Sequence, residues 1–519
     1  MSIESIQFSD KFKADVRKSI LAIIFFIVTY LIILVLSLVL TAACILGGIV
    51  IIWNLGSFLG ILLGAGLASL GLLVSFFLIK FLFTKKKMDR SNLHEISSAE
   101  ETELFEIINE IVDKVGTKRP KKTYLSMDVN AAVFYDSSFW SMIFPVRKNL
   151  IIGLGLVNAT TKSELKAIIA HEFGHFSQKS MKVGSYVYNV NHVIYNMLYD
   201  NDSFQNLINR WSSASGIISF FVAIAIKIII GIQFLLQKLY GIVNKSYMSL
   251  SREMEFHADE VAANVTGYEP LRDGLLRLSF ADYSLNSTYQ YYGSKVADSI
   301  VSENLFEDQL TTLRFLAKDR GIPFENDLPK IDLQEMNRMN KSKLVVENQW
   351  ASHPSTEVRI QKLEETGLEA ESLDNARANE IFKDIDHLQK QLTKKLFSTI
   401  SYKSRTSKIS TEEFFNDYME VHKKENFSKI YKSYYDQHNP SKFKLPRESA
   451  ASDLTIEELF SSENIDLIYT MVALNSDIGD LEKISQKQYG IKTFDYDGIK
   501  YARRDARDLK SRLEKDSQN

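Results

Sequence analysis

Residues His171-Glu172-Phe173-Gly174-His175 read H-E-x-x-H, a spacing with a definite chemistry. On a helix, side chains four apart project from one side, so His171 and His175 can grip one ion together. Glu172 then stands beside that ion, where a carboxylate can take a proton from water. The helix itself is legible. Thr161-Lys162-Ser163-Glu164 is a capping-box pattern, which starts a helix just after Thr161. Leu165, Ile168, Ile169 and Phe176 fall on one stripe at helical spacing, with Glu172 in its middle. A carboxylate on a buried face is costly unless it is paired or used. The bland alternative is two structural histidines hydrogen-bonded to Glu172. The cap, and the uncharged Phe173 and Gly174 between the ligands, favour a zinc site.

A catalytic zinc usually takes three protein ligands and a water. The chain has 9 histidines and one cysteine, Cys44, which lies in an apolar run, so neither a disulfide framework nor a cysteine zinc site is available. Residues 251–266 form a second site helix that could complete the set. Leu250, Met254, Val261 and Val265 define an apolar stripe on which Glu253 and His257 lie, whereas Glu255 and Asp259 lie on a side rich in alanine. By spacing alone all four remain open. Further on, His353 and Arg359 stand close together before a charged helix. Such a pair can hold a carbonyl or an oxyanion, or can simply begin a surface helix.

The surrounding chain must place these groups. Its 519 residues allow more than one domain, and a formal charge of -2 gives no broad attraction to nucleic acid. Residues 1–18 are polar and carry Lys11, Lys13, Arg17 and Lys18. No charge follows until Lys80, which leaves room for two membrane spans within 19–83 and a turn at Trp53-Asn54-Leu55-Gly56-Ser57. The run is too long for a signal peptide. Lys80, Lys85, Lys86, Lys87 and Arg90 follow the second span. The positive-inside rule therefore puts both ends of this hairpin, and residues 1–18, in the cytoplasm.

Leu104, Ile107, Ile108 and Ile111 mark an amphipathic helix that ends near Gly116, and strand-like runs follow at 122–127, 131–135 and 149–154. Polypeptides commonly bind by adding a strand to an exposed sheet edge, and the stretch from Asn130 through Ala131 and Ala132 to Phe134 is the edge expected here, an ordinary core strand being the alternative. Residues 216–243 are strongly apolar yet contain Lys227, Gln233, Gln237 and Lys238 on about a third of a helical wheel, as in a membrane-associated helix. A lone crossing there would put His175 and residue 255 on opposite sides of the bilayer. Either the segment does not cross, or 183–200 crosses with it as a hairpin, and the polar content of 183–200 favours no crossing. Residues 366–519 are charged and helix-prone, in the manner of a solvated surface.

Three elements, His171 to His175, then Glu255-Phe256-His257-Ala258-Asp259, then His353-Pro354 with Arg359-Ile360, together resemble the membrane zinc metallopeptidases of the HtpX and CAAX prenyl protease type. The resemblance covers roughly residues 90 to 365. It implies a gluzincin site with one zinc per chain, held by His171, His175 and Glu255. Glu172 is then the general base, Asp259 supports a ligand histidine, and His353 and Arg359 act near the substrate or transition state. It implies Asn130, Ala131 and Ala132 as the substrate-binding edge. The expected architecture is α+β and mainly α: a transmembrane hairpin, a zincin-like protease domain over 91–365 with a small sheet, and a helical extension over 366–519. The expected protein is a multi-pass enzyme of the cell's inner membrane with its catalytic domain in the cytoplasm, taking polypeptide substrates, touching the bilayer but not nucleic acid, and compatible with a homo-oligomer. The prenyl proteases have more membrane helices than this sequence displays, which argues against prenylated substrates. A sensor-type membrane metalloprotease and a non-catalytic zinc-stabilised scaffold are the rival readings.

Overall fold

The computed structural model describes residues 10–83, 85–86, 88–134, 137–138, 147–177, parts of 186–198, 216–333, 335, 342–345, 354–432, 434–435, 455–488, 493–497 and 499–517. It is mostly helical with small sheets, and its residues fall into two compact units.

The first unit begins with helices α1 (Asp10–Leu55) and α2 (Phe58–Phe83), parted only by Gly56 and Ser57, within the stretch expected to turn. Polar groups bind the two helices where apolar contact alone discriminates poorly. Thr41 Oγ1 lies 2.7 Å from both the Gly71 carbonyl and Ser75 Oγ, and Tyr30 donates to the Leu78 carbonyl at 2.7 Å.

A four-stranded sheet follows. Its strands are β1 (His94–Ile96), β2 (Thr123–Ser126), β3 (Ala131–Phe134) and β4 (Asn149–Gly153), in the spatial order β1-β2-β4-β3. Only the β2–β4 pair is parallel. β3 is thus an edge, registered with Ala131 opposite Ile152 and Ala132 opposite Ile151. The amphipathic helix α3 (Thr102–Val115) buries Leu104, Ile108 and Ile111 and stops at Gly116, whose φ of 70° is the left-handed conformation that glycine adopts without strain. Helix α4 (Lys162–Gly174) packs beside α3 and β3. Leu165, Ile168 and Ile169 of the expected stripe are buried on α4, whereas Phe176 falls beyond the helix end and both it and Glu172 are half-buried; burial also takes in Ala167, Ala170, Phe173 and Gly174.

The apolar segment and the second site helix, read from sequence as separate, are one helix, α5 (Gly216–Thr266), of 51 residues and about 76 Å. Its first half does not stand apart from the hairpin. Val222, Ala225, Ile229, Leu236, Tyr240 and Val243 join the buried core of α1 and α2. The ring of Phe221 lies against Gly66, and Ser249 donates to Asp15 at 2.7 Å, so α5 runs parallel to α2 and antiparallel to α1. Val187, Val190 and Ile194 enter the same core, and Asn191 donates to Asn244 at 3.1 Å. Part of the polarity that seemed to keep 183–200 from the membrane helices is therefore paired with α5. Helix α6 (Thr356–Glu365), started by Ser355 accepting from the Val358 amide, completes the parts that matter for the site.

The second unit comprises 158–160, 275–349 and 384–519, so it does not coincide with the 366–519 extension expected from composition. Among its described residues are helices Leu305–Arg320, Ile385–Phe397 and Thr411–Glu425, and a parallel pair of Ile300–Ser302 with Ser407–Ile409. A further core of Leu481, Ile484, Phe494, Leu509 and Leu513 joins two helices to a β-hairpin. The charged tail read as solvated surface thus encloses cores of its own, built from apolar residues too sparse to stand out in sequence.

Candidate metal centre

The capping box that starts α4 is complete. Thr161 Oγ1 accepts from the Glu164 amide at 3.3 Å, and Glu164 accepts from the Thr161 amide at 2.9 Å. That fixed start carries His171 and His175 to one side, against α5. The two helices approach closely because small residues meet: a Cβ on Gly174 would lie 3.0 Å from Ala258 Cα and 3.3 Å from its Cβ. Gly174 sits inside the first motif and Ala258 inside the second, so the contact registers one motif against the other.

The result brings His171, His175 and Glu255 together, with their ligand atoms all within 4.8 Å of one another. His171 Nε2 lies 3.5 Å from one oxygen of Glu255, and His175 Nε2 lies 3.5 Å from the other. A tetrahedral zinc with ligands at about 2.0–2.1 Å separates neighbouring donors by about 3.4 Å. Two imidazoles and a carboxylate at this spacing therefore fit a borderline metal ion. Glu255 is only 3% exposed, and a charge so far from water needs compensation.

Behind these donors lies a supporting layer. Asp259, 2% exposed, faces His171 Nδ1 at 2.8 Å. Arg359 grips the same carboxylate with two donors, Nε at 2.9 Å and Nη2 at 2.6 Å. Arg359 Nη2 also comes within 3.4 Å of His171 Nδ1, but a ring nitrogen that donates to Asp259 cannot accept, so the carboxylate is the partner of both. The arrangement fixes the His171 tautomer and leaves Nε2 facing Glu255.

Electrostatics separates the two histidines. Burial lowers His171, yet hydrogen bonds to Asp259 and Glu255 outweigh it and push the imidazole up to about 9. Burial takes His175 down to about 4. Asp259 is pushed up by burial but held below its ordinary value by His171 and Arg359. Glu172, half-buried, is raised, chiefly by burial and then by the charge of Glu255, against the pull of His171 and of a hydrogen bond from the Val133 amide. That amide belongs to β3, so the edge strand touches the residue next to the metal donors. Sequence reasoning missed this contact, because a backbone N–H leaves no mark on residue identity.

Asn130 precedes β3 and accepts from the Gly153 amide at 2.8 Å, while Ala131 and Ala132 lie on the strand. His353 lies outside the described residues. Arg359, expected to face a substrate carbonyl, instead points its donors at Asp259, with Nη1 3.8 Å from Glu255. Glu253 and His257, open as ligands by spacing, line a different cleft of about 200 Å³ with Phe256, Glu260 and Lys362.

These features have relatives. Residues 98–367 match peptidase family M48, and the chain belongs to that family. A protein named Protease HtpX homolog from Paracidovorax citrulli is 26% identical over 233 residues, covering 43% of this chain and 73% of its own. Proteins named Protease HtpX from Vibrio vulnificus and Acinetobacter baumannii are each 25% identical, covering 42% and 43% of this chain and 74% and 71% of theirs. No solved structure matches. With three helices among the described residues long and apolar enough to cross a bilayer, the chain is a membrane peptidase of a metalloprotease family.

Proposed function

We propose that the protein is a zinc-dependent endopeptidase that hydrolyses peptide bonds of membrane or misfolded proteins at the cytoplasmic face of the membrane. The observation that carries the reading is the meeting of His171, His175 and Glu255 beside Glu172. These three residues would hold the metal. A zinc ion there would supply a polarised carbonyl and a water acidic enough to attack near neutral pH. Glu172 takes the proton of the attacking water and passes it to the departing amine. Asp259 holds His171 in the ligating tautomer, and Arg359 positions Asp259 rather than contacting substrate. The substrate backbone adds to β3 along Ala131 and Ala132, with Asn130 at its entrance.

The helix directions support one membrane arrangement. With the basic flanks of the hairpin in the cytoplasm, α5 starts at the far end, near the α1–α2 turn, and returns to the cytoplasmic end at Ser249. Val187, Val190 and Ile194, packed in the same core, support the second of the two topologies that the sequence left open, in which 183–200 crosses with α5. Glu255 rejoins the histidines on one side.

Purified wild type and Glu172→Gln test the assignment by metal analysis and casein cleavage. Both proteins should carry about one zinc per chain, and Glu172→Gln should lose cleavage by at least about a hundredfold. An active, zinc-loaded Glu172→Gln protein would sink the reading, as would an inert wild type with its metal in place, which is the scaffold outcome.

A further inference from the structure

We infer that the outward face of α5 receives a membrane-spanning helix carrying a carboxylate in its cytoplasmic half; this rests on the peptidase reading above and names a class of substrate for it. Along the membrane half of α5, Val222, Ala225, Ile229 and Leu236 face the hairpin. The diametrically opposite side presents Phe220, Ala223, Lys227, Gly231, Phe234 and Lys238, spaced by three and four, all of them exposed. Lys227 is the anomaly. Phe221 abuts Gly66, so six residues further along parallel helices Lys227 is level with Leu72, eight residues before Lys80, the first charge of α2. That puts its Cα about 12 Å inside the cytoplasmic edge of the hydrocarbon. Among the described residues no carboxylate pairs with it. An ionisable residue at such depth marks a site and calls for a partner.

Three occupants compete, and the geometry separates them. A lipid phosphate at the cytoplasmic surface lies beyond the roughly 6 Å reach of a lysine stem, and helical Cβ atoms tilt toward the N-terminus, which in α5 is away from that surface. A second copy of the chain on this face would bring Lys227, Lys238 and Lys245 against the same stripe, like charge on like charge. A foreign helix fits both shape and charge. Ala223 and Gly231 lie one turn either side of Lys227, and a Cβ on Gly231 would meet nothing within 4 Å. The exposed rings of Phe220 and Phe234 bound this shallow seat. Small residues let a second helix come close, and a carboxylate at the level of Lys227 would then pair with it away from water.

The test uses full-length protein in phosphatidylcholine vesicles. Reporters have one membrane span and a cytoplasmic tail, with Asp, Asn or Lys eight residues inside the cytoplasmic end of the span. Binding is read by photocrosslinking from position 231 of the Glu172→Gln protein, so it does not depend on turnover. Cleavage is read with otherwise wild-type protein. The Asp reporter should crosslink and be cleaved at least about tenfold better than Asn. Lys227→Met should erase that preference, and Lys227→Glu should transfer it to the Lys reporter, a rescue that a misfolded variant cannot give. Equal capture of Asp and Asn overturns the inference. So does a preference that survives Lys227→Met, one that disappears when anionic lipid is added (the lipid being the occupant), or self-crosslinking that excludes the reporter. Casein cleavage by wild type reports separately on the peptidase assignment.

Discussion

Helix α5 is one helix in two surroundings. Over its first half the packed side is aliphatic, with Val222, Ala225 and Ile229 against the hairpin, and most of what remains exposed is apolar as well. Over its last turns the buried side carries Glu255 and Asp259, at 3% and 2% exposure. The backbone continues unbroken while the logic of burial reverses. Carboxylates are tolerated inside where two imidazoles and a guanidinium meet them, and a lysine stands outside where hydrocarbon should favour leucine. Both ends depart from what burial alone would select, in opposite ways: one holds polar groups deep in protein, the other leaves a lysine exposed on an apolar helix.

The sharpest way to break the comparison is to remove a buried carboxylate and a neighbouring half-buried one. Glu255→Ala deletes the group that faces both ring nitrogens, and should abolish metal retention through dialysis along with all proteolysis. Glu253→Ala, two residues earlier on the same helix but lining the other cleft, should keep about one metal per chain. If the two variants exchange phenotypes, the third donor has been misassigned.

The site half should also respond to pH. In the metal-free protein His171 keeps its proton up to about 9, well above its ordinary 6.5. Because the folded value is raised, that proton stabilises the metal-free fold fully below pH 6.5, and the contribution fades as pH rises through 9. Metal binding must displace the proton, so the two effects have opposite signs. Metal affinity should rise by about tenfold per pH unit between 7 and 9 and then level off. His175, lowered to about 4, is already neutral over this range and adds no slope. Competition titrations against a chelator of known pH dependence would show this, and a flat profile would mean that Asp259 and Glu255 do not together raise His171 as described.

Asp259→Asn refines the same point. The side chain keeps its size but loses its charge, which leaves Arg359 only the more distant Glu255, at 3.8 Å, and gives the His171 Nδ1–H a weaker acceptor. A loss of about 10- to 100-fold in metal affinity is expected, the usual effect of removing a group that orients a ligand histidine. Casein cleavage at saturating zinc should recover most of the wild-type rate. A variant that binds zinc normally would reduce Asp259 to a structural ion pair with Arg359.

Much of the site half was legible in sequence, because chemistry restricts residue type. The capping box at Thr161, the spacing of His171 and His175 and the end of α3 at Gly116 each follow from a local rule. Glu255 needed the family resemblance, since periodicity left Glu253, Glu255, His257 and Asp259 equal. What escaped was long-range. Nothing local says that 216–243 and 251–266 are one helix, because a change of solvent along a helix looks like a boundary in hydropathy. Polarity in 183–200 hid a pairing for a related reason: Asn191 is polar, but its partner Asn244 lies 53 residues away. The hairpin between Thr493 and Ala502 was hidden inside a charged, helix-prone composition.

The smallest effect concerns the contact that joins the two motifs. Ala258 is fully buried, and the backbone of Gly174 leaves no room beyond it. Ala258→Leu adds three carbons between α4 and α5, which can be accommodated only if the helices part or the leucine takes a strained rotamer. A destabilisation of about 1–3 kcal/mol is expected. The same enlargement at Ala223, on the exposed side of the membrane half, should change stability by no more than about 0.5 kcal/mol. Thermal unfolding of both variants in detergent, with and without zinc, gives the contrast. Helices that part at Ala258 also separate Glu255 from the histidines, so zinc should raise the Tm of Ala258→Leu less than that of wild type. An equal zinc shift in both would mean that the close approach of Gly174 and Ala258 serves packing alone and does not set the spacing of the metal donors.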